Sequence, residues 1–256
     1  MMGFRTLLAK ELREQIRTYR LVAVAAVFVL FGILSPVTDR YMKELFDALG
    51  TQTGGMSFTV PGPSLGGAAT QLLKNLSQFG IICALLLAMG SVAWEKERGT
   101  AGMIMTKPAS RAAFLAAKLT AISLNLGLGM ILGCGLAYLY TALLYPSVFP
   151  LGGYLAMAAM LWWMTVVFAA ITLLGSALTR SAIAAAGIGL VALVVFGIAG
   201  ALPVVGPYLP TSLAGPASDL MLGHDPGSFL GPLVFNVTLV PVLFLATWLS
   251  FRRQEL

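Results

Sequence analysis

The chain has 256 residues, of which 58% are apolar and 10% charged, with a formal charge of +6. Soluble domains carry about 25% charged residues, so most of this surface is not made for water, and a soluble enzyme is excluded. The run 119–179 contains no charged residue at all, and 181–218 has none either. A helix needs about 20 apolar residues to cross the hydrocarbon of a bilayer, so each run holds at least one crossing.

In chain order, residues 4–20 read as an amphipathic interfacial helix. Lys10, Arg13, Arg17 and Arg20 share one face, and Phe4, Leu8, Leu12, Ile16 and Tyr19 cluster on another. Such a helix lies in the membrane interface, with its basic face toward anionic headgroups or a protein. The first span is expected over 21–35, ending before Pro36. It begins too far in for a signal peptide and is read as retained. A polar outer loop, 36–75, follows. Further spans are expected over 76–94, 119–145, 154–179, 183–202 and 232–251. A charged loop, 95–111, separates the second and third, and a proline-rich outer loop, 203–231, precedes the last. The expected fold is all-α: a single transmembrane domain, 1–256, of six helices behind an interfacial helix.

Lysine and arginine set the orientation. Thirteen lie on the side of the two termini and the 95–111 loop, and three (Arg40, Lys43 and Lys74) on the other. Acidic residues divide five and five, so the basic residues alone carry the bias. Both termini are expected in the cytoplasm, with the chain multi-pass in the cell (inner) membrane.

Absences narrow the chemistry. No Gly-Lys dipeptide occurs, so there is no P-loop for nucleotide hydrolysis. No ionisable residue is expected deep in a span, where proton-coupled transporters and membrane hydrolases usually keep one. Cys83 and Cys134 lack a CxxC neighbour and read as small buried hydrophobes. His224 and its neighbours Asp219 and Asp225 are too thin a set for a membrane enzyme. Neither a metal site nor a nucleic-acid partner is expected. Small residues one turn apart (Gly129 and Gly133, Ala182 and Ala186, Ala185 and Gly189) allow close helix packing.

The informative segment is the charged loop. Gly99 is placed to end the second helix in a left-handed conformation. Thr100 then caps a short apolar helix over 101–105, which carries Met103, Ile104 and Met105. Lys107-Pro108 ends it, and Ser110 caps the next long helix. Apolar residues presented at a membrane face suggest a docking surface.

These residues resemble the ABC-2-type permeases, the membrane subunits of a class of ATP-driven exporters. The matching motif is Glu95, Glu97, Gly99 and Thr100, followed by a coupling helix and then Pro108, Ser110 and Arg111. The resemblance implies that two such subunits pair and that two separate ATPase subunits dock on the coupling helices. ATP and Mg would then be bound by the partner and no cofactor by this chain. It also implies a path between the two copies lined by spans two and five. There Ser77, Gln78 and Ser91, and the small residues Ala182, Ala186 and Gly189, are the candidates. An uncharged path suits export of an amphiphilic or apolar cargo better than a bare ion. The alternative is a non-transporting assembly that passes ATP-driven shape change to an extracytoplasmic partner, as in metalloenzyme maturation.

Overall fold

The computed structural model describes residues 3–50, 62–99 and 110–253. The expected coupling helix, with Thr100, Met103, Ile104, Met105 and Pro108, lies outside the described residues. Helix α1 (Phe4–Arg17) leads through an elbow at Tyr19, φ 57°, into α2 (Arg20–Gly50). Then come α3 (Leu65–Met89), α4 (Ala93–Glu97), α5 (Arg111–Leu144) and α6 (Leu151–Leu178). After α7 (Ala182–Ala199), two 3-10 turns, Gly206–Tyr208 and Pro210–Leu213, lead to α8 (Ala214–Leu222) and α9 (Leu230–Arg252). Six helical segments among the described residues are long and apolar enough to cross a membrane, with α3 and α4 counted together as one. No strand occurs among the described residues, so the class is all-α.

Three boundaries differ from expectation. Helix α2 runs through Pro36 instead of stopping before it. Proline removes one backbone donor, but hydroxyls and neighbouring helices re-satisfy the backbone of a membrane helix. The carbonyl that Pro36 leaves without its helical donor is that of Gly32, four residues back; one residue earlier, Ser35 Oγ donates to the Phe31 carbonyl at 2.6 Å. Helix α3 starts at Leu65, eleven residues before the expected span, because Ser64 Oγ accepts the Gly67 N–H at 3.0 Å as an N-cap. The second crossing is broken between Met89 and Ala93. There Ser176 Oγ of α6 accepts the N–H groups of Val92 (3.1 Å) and Ala93 (2.9 Å) and donates to Met89 O at 2.8 Å. The freed backbone groups at this buried break therefore keep their partners.

The core lies among α2, α3, α5 and α6, where Phe28, Leu72, Leu76, Leu126 and Met130 are almost fully buried. Helices α2 and α5 approach at Gly32, Gly129 and Gly133. A Cβ on Gly133 would lie 2.5 Å from the Phe28 carbonyl oxygen, and one on Gly32 would overlap the Gly133 carbonyl. Lipid is as apolar as leucine, so helices in a bilayer gain most from such close backbone packing. Helix α7 is peripheral, with Ile183 84% exposed and Ile198 71% exposed.

Candidate functional site: the charged end of the bundle

Helix α1 packs on α5 through a stripe that hydrophobic patterning did not single out. Its buried residues are Leu7, Glu11 and Gln15, at four-residue spacing on one face. Ile16 and Tyr19, expected on the apolar face, are exposed, as are Arg13 and Arg17. The apolar face is therefore tilted. Leu8 and Leu12 are half-buried, with Leu8 against the cluster that holds Leu7, while its C-terminal part turns outward. The inward stripe is polar from Glu11 onward.

That polar face meets a cation. Lys118, two turns into α5, is only 3% exposed. Its Nζ donates to Glu11 of α1 at 3.2 and 3.3 Å and to Glu95 of α4 at 2.9 Å. Lys10 donates to Glu95 and Glu11, both at 3.1 Å. Two carboxylates and two ammonium groups therefore alternate around a closed ring, Glu11–Lys118–Glu95–Lys10, that joins three helices. Glu14 lies 3.8 Å from Lys10 at its edge. A buried ion pays a large desolvation cost and is retained only with well-placed partners, and the ring supplies them. Burial opposes the charge on Lys10, yet Glu11 and Glu95 outweigh it and hold its pKa above the usual lysine value. Below the ring, Asn125 Nδ2 donates to Gln15 Oε1 at 2.6 Å.

The flanks of the 95–111 loop are tied to two further helix ends. Lys96 Nζ donates to the Ala177 carbonyl at the end of α6 and lies 5.6 Å from the Phe251 ring centroid. Arg111 Nη1 donates to the carbonyls of Phe251 (3.1 Å) and Arg252 (2.7 Å) at the end of α9. Cations at helix C-termini satisfy carbonyls that have no partner within the helix and complement the helix dipole. Gly99 takes φ 68°, the left-handed conformation expected of it, and Ser110 Oγ caps α5 by accepting the Ala113 N–H at 3.1 Å. Glu97 is exposed and makes no ion pair among the described residues.

The remaining candidates scatter. Ser91 lines a cleft of about 650 Å³ between α1, α4 and α5, beside the ring. Arg20 stands over Trp94, its guanidinium carbon 5.1 Å from the ring centroid. Ser77 is half-buried and Gln78 exposed. On α7, Ala182 and Gly189 are buried and Ala186 half-buried. A Cβ on Gly189 would lie 2.5 Å from Thr172 Oγ1 and 3.0 Å from Leu85 Cγ. Gly189 is therefore a contact of α7 with α6 and α3, and the outward face of α7 is branched and large: Ile183, Val191, Val194 and Ile198. His224 is exposed in the loop after α8.

Lys118 is the residue the sequence reading passed over. It stands one residue before the expected third span, 119–145, among the thirteen basic residues on the side of the termini. A signal was present, because Arg111, Lys118 and Asn125 repeat every seven residues and so share one face of α5.

Two relatives and a family model place this architecture. Over 259 aligned residues the chain is 31% identical to YxlG of Bacillus subtilis, an uncharacterized transmembrane protein, covering 97% of both chains. Over 166 residues it is 28% identical to NosY of Stutzerimonas stutzeri, a probable ABC transporter permease, covering 62% of this chain and 55% of that one. The model of the ABC-2 family transporter protein matches residues 5–222, which include the whole ring, both flanks of the 95–111 loop and five of the six spans. The chain is a multi-pass membrane protein and belongs to the ABC-2 transporter family.

Proposed function

We propose that this chain is the permease subunit of an ATP-driven exporter and that its charged end receives the motion of a separate ATPase. One observation carries the reading: both flanks of the 95–111 loop are fixed to the bundle. Glu95 joins it to α1 and α5, Lys96 to α6 and Arg111 to α9. A partner that displaced this loop would move four helices together. ATP and Mg belong to that partner, two copies of which serve two copies of this chain. In this reading the charged end faces the cytoplasm of the cell membrane, which the basic bias supports. The cargo is amphiphilic or apolar, carried between the two copies along α3 and α7.

The test is co-expression with an ABC ATPase partner, followed by ATPase and transport measurements on the assembled particle. Glu95→Ala should sever hydrolysis from transport while insertion and assembly persist. Glu97→Ala, outside the ring, should do less. Wild-type coupling in the Glu95 variant would sink the reading. Stimulated hydrolysis with no cargo moved by the wild type would instead favour an assembly that transmits shape change.

A further inference from the structure

The cleft beside the ring has a chemistry that the ring does not exhaust. Its walls come from α1, the α3–α4 break and α5, and its volume of about 650 Å³ falls within the usual range for ligand pockets, about 300–1,000 Å³. Cations on its lining outnumber carboxylates four to three. Each carboxylate already faces lysine: Glu11 and Glu95 within the ring, and Glu14 at its edge. The two guanidinium groups are placed otherwise. Arg20 rests on the face of Trp94, and Arg98 is exposed with no carboxylate partner among the described residues. Leu87, Trp94 and Ile122 form the apolar part of the wall.

We propose that this cleft binds the phosphate of one anionic phospholipid headgroup, with Arg20 and Arg98 as its donors. Guanidinium forks match phosphate oxygens in geometry, and they are weakly hydrated enough to exchange water for them. The single excess positive charge is balanced by one phosphodiester. A zwitterionic headgroup would add an ammonium group, while Glu11 and Glu95 are already held by lysine in the ring and Glu14 offers a half-exposed carboxylate 3.8 Å from Lys10. The apolar wall suits the glycerol and upper acyl region. Helix α1 presents Ile16 and Tyr19 outward along the same edge, which places the cleft at the level of the lipid interface. Soluble phosphate shares the headgroup chemistry but has no use for the apolar wall.

Native mass spectrometry of the delipidated full chain in detergent tests this with three probes: phosphatidylglycerol, phosphatidylcholine and inorganic phosphate. Wild type should retain one phosphatidylglycerol per chain in preference to phosphatidylcholine, and millimolar phosphate should leave it bound. The pair Arg20→Gln/Arg98→Gln should weaken retention about tenfold. The control pair Arg13→Gln/Arg17→Gln, exposed cations of α1 outside the cleft, should not. Equal loss in both pairs would replace the site with a general basic surface. Equal retention of the two lipids would overturn the charge argument, and displacement by phosphate would overturn the lipid source. If the cleft pair melts early, Arg98→Gln alone, at the exposed end of α4, gives the same reading.

Discussion

The two ends of the helix bundle are held by different physics. At the charged end, α1, α4, α5, α6 and α9 are joined by ionic side chains and by cations on helix carbonyls. At the opposite end no ion pair occurs among the described residues. One carboxylate, Asp39, accepts from Tyr145 OH at 2.6 Å and from the Ser64 N–H at 3.1 Å, and the other joints are packing and neutral hydrogen bonds. Tyr154 OH donates to Cys134 O at 2.7 Å, Trp163 Nε1 to Asn236 O at 3.0 Å, and Asn236 Nδ2 to Tyr208 O at 3.1 Å. Gly153 packs so closely on α8 that a Cβ there would overlap the Leu220 carbonyl. Ionic joints tolerate changes of angle, because an ammonium group has three donors that rotate. Backbone-tight contacts do not. The contrast suits the proposed role, in which a partner moves the charged end while the other end holds its shape.

The comparison breaks most visibly at Lys118. Lys118→Met should cost about 3–5 kcal/mol, because it leaves two partly buried carboxylates short of a counter-ion. Glu11→Gln and Glu95→Gln added to that variant should restore much of the loss, since neutral amides cost less to bury. Thermal unfolding of the purified protein reads both steps. A triple variant as unstable as the single would mean that the ring acts through packing alone.

The opposite end should fail sterically. Gly153→Val is expected to cost about 1–3 kcal/mol by overpacking α6 against α8, with no dependence on salt. Tyr154→Phe should cost less, about 0.6 kcal/mol, the usual size of a hydrogen bond between membrane helices. A larger loss in Tyr154→Phe than in Gly153→Val would reverse the ranking of packing over hydrogen bonding there.

What the sequence made legible follows from the same contrast. Six apolar segments, the left-handed Gly99, the Ser110 cap and the close approach at Gly129 and Gly133 are local or periodic properties. All are found in the structure. Pro36 misled because its effect depends on the solvent: in water it stops a helix, and in a bilayer the helix continues. The inward face of α1 misled because Glu11 and Gln15 are polar, and burial there is decided by Lys118 and Asn125 more than a hundred residues away. Gly189 was legible as a small residue, but its facing was not. Only the position of Thr172 and Leu85 shows that it turns into its own bundle.

The smallest effect should come from the other ammonium group of the ring. Lys10 is 41% exposed at its side chain, against 3% for Lys118, although both touch the same two carboxylates. An exposed pair is screened and contributes about 0.2–1 kcal/mol, so Lys10→Met should cost no more than about 1 kcal/mol. Raising the salt to about 1 M, where the screening length falls to about 3 Å, should erase most of that difference. The loss in Lys118→Met should persist, since water and ions do not reach it. The pH dependence has a definite sign. The pKa of Lys10 is raised in the folded protein, so its contribution is fully present below the ordinary lysine value, about 10.4, and is lost as pH climbs through the higher folded value. The stability gap between wild type and Lys10→Met should therefore stay level from about pH 7 to 9 and close only above that ordinary value. A gap that narrowed already across the neutral range would show that the raised pKa of Lys10 is not what links α1 to α4.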